Sequence, residues 1–230
     1  MPESLVAIPV SSLKYLASLK KNNNREWFNA HKDEYLEQQG LIAEFADSLL
    51  AELNVQDVIE TPSGKKSLHR IYRDTRFSKE KIPYKTNFSG NFVRSGKQRR
   101  GGYYFHIEPG NTFVAGGFQQ PGPQDLKRIR EEISADPAAL NRLLKSKSFR
   151  DNFGKLKGEQ VKTAPKGFDR NHEAIDLLRY KQFLVIKSFT DEEVLNASFL
   201  KDVAQVYQHM RPFFDYMSEI LSTDVNGEMS

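Results

Sequence analysis

Between Leu68 and Phe118 the chain drops the three-to-four-residue apolar spacing of its flanks. It falls instead into four short runs, Leu68–Tyr72, Thr86–Val93, Tyr103–Glu108 and Thr112–Phe118. Each is rich in aromatic or β-branched residues and bounded by Gly, Pro or Asn, which is the composition of strands and the punctuation of turns. Pro109-Gly110-Asn111 suits a tight hairpin connection. Strands joined by loops this short pair antiparallel. Whatever surrounds this block must therefore cover a mostly antiparallel sheet.

The flanks read as helices. Ser11 or Ser12 is positioned to cap a helix carrying Leu13, Leu16 and Leu19, with Asn22-Asn23-Asn24 ending it. A longer pattern runs from Arg25 to Leu53, where Trp27, Phe28, His31 and Tyr35 share a face and Gly40 is the expected break. After the sheet block, Pro123 opens one helix (Leu126, Ile129, Ile133) and Asp136-Pro137 caps another through Leu144. Phe183–Phe189 reads as a further strand, and Thr190-Asp191-Glu192-Glu193 has the form of a capping box. A final helix spans about Ser198–Leu221, its apolar seam interrupted by Pro212, where a kink is expected. No repeat or linker divides the chain, so the expectation is one α+β domain over residues 1–230, with its sheet drawn from residues 68–118 and 183–189.

Composition narrows the chemistry. Apolar residues make up 38% and aromatics 11%, enough to fold a core. There is no cysteine, which excludes disulfides, thiolate nucleophiles and Cys-type zinc sites. Met1-Pro2-Glu3-Ser4 lacks the basic and apolar regions of a secretory signal, and no apolar run approaches the ~20 residues of a membrane span. A cytoplasmic protein with no membrane partner is the expectation; oligomeric state is not legible.

Charge is segregated although the net is only +4. Lys65 to Arg100 holds 12 bases against 2 acids, and Asp191 to the end holds 2 bases against 8 acids. A basic face of this kind attracts phosphate, nucleic acid or acidic partners. The alternative is that the acidic C-terminal part packs over it. Ser95–Gly102 reads as a mobile basic loop between strands.

The densest cluster is Arg70-Ile71-Tyr72-Arg73-Asp74-Thr75-Arg76-Phe77-Ser78-Lys79-Glu80-Lys81-Ile82-Pro83-Tyr84-Lys85. A strand period of two puts Arg70 and Arg76 on one side and Arg73 on the other, unless a bulge intervenes. Asp74 is placed to take a bidentate bond from a neighbouring arginine. That string resembles the family known as domain of unknown function 2461. So do Asn23-Asn24-Arg25-Glu26-Trp27-Phe28 with His31-Lys32 and Tyr35, and Tyr103-Tyr104-Phe105-His106-Ile107-Glu108-Pro109-Gly110 with Gly116-Gly117. The similarity covers nearly the whole chain in order. It implies a full-length α+β domain and carries over no catalytic residue.

Three site chemistries fit the residues. The first is an anion or phosphate site made by Arg70, Arg73, Arg76, Lys81 and Lys85, with His106, Tyr84 and Asp74 as the candidates for proton transfer or catalysis. His106 near the arginines would act as a neutral base. The second is single-strand nucleic-acid binding, from bases interleaved with Tyr72, Phe77, Tyr84, Phe88, Phe92, Tyr103 and Tyr104. The third is a metal site using Tyr104, His106 and Glu108, which alternate onto one strand face, completed by His31, His69, His172 or His209; no spacing selects one, and the expectation is no metal. P-loop, dinucleotide and nucleophile-elbow motifs are missing, so no cofactor is indicated. Gly116-Gly117 either relieves crowding, forms a bulge or admits a ligand. The leading expectation is an anionic ligand, the others being a nucleic-acid or acidic-partner module and a purely structural basic segment.

Overall fold

The computed structural model describes residues 7–76, 79–96 and 98–222. The fold is α+β, with a four-stranded antiparallel sheet. Its strands are β1 (Phe88–Val93), β2 (Gly102–Ile107), β3 (Thr112–Phe118) and β4 (Phe183–Phe189), in the order β1-β2-β3-β4. The helices are α1 (Val10–Lys21), α2 (Arg25–Ala30), α3 (Lys32–Gln56), α4 (Gly64–Ser67), α5 (Pro123–Ala135), α6 (Pro137–Lys145), α7 (Lys147–Phe153), α8 (Ile175–Leu178), α9 (Asp191–Leu195) and α10 (Phe199–Ser222). No helix among the described residues is long and apolar enough to cross a membrane.

Two compact units divide the residues. Of the described residues, one comprises those within 7–93, 104–114 and 188–205, the other those within 94–103, 115–187 and 206–222. In the first, Phe105 of β2 meets Phe45 of α3 edge-on, and Phe45 stacks on Phe199 at 5.6 Å between ring centres. Leu16, Leu19, Ile42, Leu49, Phe92 and Val194 close the same core. α4 lies so near α3 that a Cβ on Gly64 would stand 2.3 Å from the Ala43 carbonyl oxygen. Only glycine fits such an approach.

In the second unit, Ile129, Ile133, Leu140, Leu178, Phe183, Val185, Phe213 and Met217 are fully buried. A Cβ on Gly116 would fall 2.6 Å from the Met210 sulfur, and Gly117 (φ 126°) lies against the Phe183 carbonyl. Crowding, not ligand access, accounts for that glycine pair.

Local codes held and longer-range ones shifted. Asp136 caps α6 and Thr190 with Glu193 forms the capping box of α9. The first helix begins at Val10, ahead of both serines; Ser11 and Ser12 donate instead to the Gln38 side chain. The second pattern breaks at His31, where the ring stacks on Trp27 at 4.0 Å, and Gly40 sits inside an unbroken α3. Pro212 lies within α10.

Candidate functional site

The run expected as a first strand, Leu68–Tyr72, forms only isolated bridges, Leu68 to Gly90 and Tyr72 to Tyr84. Between them one side advances four residues and the other six. The two extra residues are taken up at bends on Thr86 and Asn87, a bulge that prevents a continuous ladder. Arg73 N–H donates to the Pro83 carbonyl and Lys85 N–H to that of Ile71. Residues 71–73 and 83–85 are thus an antiparallel ribbon. Its period of two sets Arg73 and Lys85 on the face opposite Tyr72 and Tyr84.

The ribbon is anchored from the α1–α2 corner. Asn23 Nδ2 donates to the Tyr84 carbonyl at 3.0 Å, and Tyr84 N–H donates to Asn23 Oδ1 at 3.1 Å. The Tyr84 ring stacks on Phe28 at 4.0 Å and is buried. Burial, then Tyr72, pushes its phenol up. Tyr84 is accordingly a packing anchor for its neighbour Lys85.

The basic side chains divide into paired and unpaired. Arg76 makes a forked bond to Asp74, Nε to Oδ1 at 3.0 Å and a terminal nitrogen to Oδ2 at 2.6 Å. That bond holds the Asp74 carboxyl below the usual carboxylate range. Lys81 Nζ donates to the Thr75 carbonyl at 2.8 Å. Among the described residues, Arg70, Arg73 and Lys85 have no ion pair or side-chain hydrogen bond. Burial, and then the Arg70 charge, push the Lys85 ammonium below the usual lysine range.

Beside the ribbon, alternation along β2 turns Tyr103, Phe105 and Ile107 into the core and leaves Tyr104, His106 and Glu108 half-buried on the opposite face. Tyr104 Oη and His106 Nδ1 lie 3.1 Å apart, and His106 Nε2 and Glu108 Oε2 also 3.1 Å. Phe113 stacks on the His106 ring at 4.7 Å. Thr86, the residue after Lys85, donates to Glu108 Oε1 at 2.7 Å, and Asn111 donates to Oε2 at 2.9 Å. Lys20 approaches the same carboxylate at 3.9 Å. Burial alone would raise the Glu108 carboxyl, but the bonds from Thr86, Asn111 and His106 outweigh it and hold it below the ordinary range. His69, beside Arg70, has Nε2 2.8 Å from Asn91 Oδ1 and Nδ1 3.4 Å from Ser89 Oγ. Its ring lies 5.9 Å from that of Tyr104.

His106 therefore engages Tyr104 and Glu108 rather than an arginine. The other histidines are occupied locally: His31 at the Trp27 carbonyl, His172 at Ser134, and His209 at Ser148. Among the described residues no group of three or more His, Asp or Glu could hold a metal ion. Of the aromatics interleaved with the bases, Tyr84, Phe88, Phe92 and Tyr103 are buried and unavailable for stacking, and Phe77 lies outside the described residues. Sequence reasoning missed Asn23, whose partner is 61 residues away, and Thr86, hidden in the bulge.

The later bases behave differently. Arg94 is only 4% exposed. Its guanidinium donates to the Arg100 carbonyl at 2.9 Å and to Asp215 at 3.1 Å, and lies 5.3 Å from the Phe214 ring centre. Arg100 pairs with Asp125, and its N–H donates to Ser218 Oγ at 2.9 Å. Both ends of the stretch expected to be a mobile loop are thus pinned.

This is an α+β protein with an open basic ribbon beside a polar strand face. Over residues 11–216 it matches the family described as conserved hypothetical protein (DUF2461), and it belongs to that family. No curated protein and no solved structure matches it.

Proposed function

We propose that the protein binds a phosphate-bearing or otherwise anionic ligand through Arg70, Arg73 and Lys85, with Arg76 and Lys81 adding to the local positive field. One observation carries the reading. Three cations at the ribbon have no carboxylate partner among the described residues, and one of them, Lys85, is held partly out of water beside Arg70. Removing an ammonium from water next to a like charge costs free energy, and a bound anion reverses that cost. Arginine forks match phosphate oxygens in pairs, while lysine supplies a point charge. A cytoplasmic setting suits a cysteine-free chain of this kind.

The test is a thermal-shift screen against inorganic phosphate, sulfate, nucleotides, sugar phosphates and short oligonucleotides at low and high salt. A ligand at about 100 times its Kd stabilises by about 2.7 kcal/mol, or about 5–10 °C in a chain of this size. Arg73→Ala should abolish the shift while leaving the unliganded Tm within about 2 °C. Shifts seen only with oligonucleotides, and lost in salt, would assign a nucleic-acid-binding module instead. Unfolding by Arg73→Ala, or silence across the panel, would make the ribbon structural.

A further inference from the structure

The polar row on β2 has the connectivity of a nucleophile–base–orienter relay, and two residues that touch it, Thr86 and His69, are the chain neighbours of Lys85 and Arg70. Residues 104, 106 and 108 alternate onto one face, so their side chains stand in a line. Glu108 receives hydrogen bonds from Thr86 and Asn111 and approaches Lys20. An ionised carboxylate so surrounded is an acceptor only. The 3.1 Å contact with His106 therefore requires the proton on Nε2. In the neutral ring this leaves the lone pair at Nδ1, 3.1 Å from the hydroxyl of Tyr104, which also bonds to Ser89. Phe113, stacked on the imidazole, holds that orientation. That tautomer sets a hydroxyl against a base oriented by a half-buried carboxylate, which is the arrangement of activated hydroxyl nucleophiles.

The surroundings select the electrophile. Glu108 is bonded to Thr86, the neighbour of Lys85, and His69, the neighbour of Arg70, lies beside the Tyr104 ring. Cations that neutralise phosphate oxygens are what a phosphorus centre needs when an oxygen attacks it.

We propose that Tyr104 is a catalytic nucleophile that takes a phosphoryl group from a phosphate monoester or anhydride held by Arg70, Arg73 and Lys85, with His106 as its base and Glu108 as a positioning residue. The proposal rests on the anion-binding reading above. Tyr104 Oη forms a bond to phosphorus as the bond from phosphorus to the leaving oxygen breaks, its electron pair going to that oxygen. The phenolic proton passes to His106 Nδ1 and then to the leaving oxygen. Water next attacks the O-phosphotyrosine; its proton goes to the tyrosine oxygen, and phosphate departs.

The experiment incubates the protein with acetyl phosphate and, separately, p-nitrophenyl phosphate, quenches in acid during turnover, and locates added phosphoryl groups by peptide mass spectrometry. The expected result is one phosphoryl group on Tyr104 and none in Tyr104→Phe. Glu108→Gln should slow phosphoryl uptake at least ~10-fold with the affinity for inorganic phosphate unchanged, a split that a merely structural role would not give. The phosphate-induced thermal shift is measured on every variant. If phosphate stabilises the wild type but Tyr104 takes up no phosphoryl group, or Tyr104→Phe turns over normally, the relay is overturned and the binding reading survives. If phosphate gives no shift, both fall.

Discussion

Two stretches of one basic segment meet opposite fates. At Arg94–Arg100 each end is tied to an acid distant in sequence, and Arg94 is buried with Asp215, Ser218 and the Arg100 carbonyl around it. At Arg70–Lys85 the Asp74 carboxylate serves Arg76, its neighbour two residues on, and Arg70, Arg73 and Lys85 are left without ion pairs among the described residues. Charge density therefore says nothing by itself. What separates scaffold from candidate site is where the counter-charges stand, and that is decided by tertiary contacts rather than by local composition.

The contrast can be broken most sharply at Arg94. Arg94→Ala removes a buried cation and takes one donor each from the Arg100 carbonyl and Asp215. It should cost about 1–3 kcal/mol, lowering Tm in urea-free buffer by roughly 5 °C. A loss smaller than about 1 kcal/mol in a chemical denaturation series would mean that this end is as dispensable as an exposed ion pair. Asp215 is half-exposed, so the burden lies on the arginine side.

A smaller effect is expected at Glu108, and it depends on pH. Its folded carboxyl titrates below the ordinary range, so its contribution to stability is present above the unfolded pKa and is lost as pH falls through the folded one. Tm measured from neutral pH downward should therefore fall on the acid side. Glu108→Gln should flatten part of that limb and leave the neutral side lower than wild type. An acid limb identical in the two proteins would show that Thr86, Asn111 and His106 do not favour the ionised form.

The smallest effect has the opposite sign. Lys85 titrates below the usual lysine range, so its charged form is disfavoured by folding, a penalty relieved as pH rises through its folded pKa. Lys85→Met should leave Tm at neutral pH unchanged or raised by no more than about 2 °C, while weakening the phosphate-induced shift. A clear loss of stability would move Lys85 from the open ribbon to the scaffold class.

How much of this was legible follows the range of each interaction. The capping box at Thr190, the Asp136 cap, the β2–β3 hairpin and β4 were readable because the residues that define them are adjacent. Asp74 was readable as a partner for a neighbouring arginine for the same reason. The bulge at Thr86–Asn87 was not, since neither residue departs from strand composition and the offset exists only relative to the opposing run. Which arginines stay unpaired was not readable either: Arg94 and Arg73 look alike until Asp215 arrives from 121 residues away. Tyr104, His106 and Glu108 were visible as one face. Their roles came only with the contacts that fix the imidazole tautomer, and those involve Thr86 and Asn111.

Asn23 has a consequence of its own. With one amide it reads both the N–H and the C=O of Tyr84, as a neighbouring strand would, so a single side chain stands in for a missing length of sheet. Such a surrogate tolerates almost no editing. Spontaneous loss of the amide nitrogen, the ordinary ageing reaction of asparagine, would leave a carboxylate facing the Tyr84 carbonyl, one bond kept and the other turned to repulsion. The ribbon's attachment to the helical corner thus carries a chemical clock, set at a position where an atom-for-atom change weakens the hold on Lys85's neighbour.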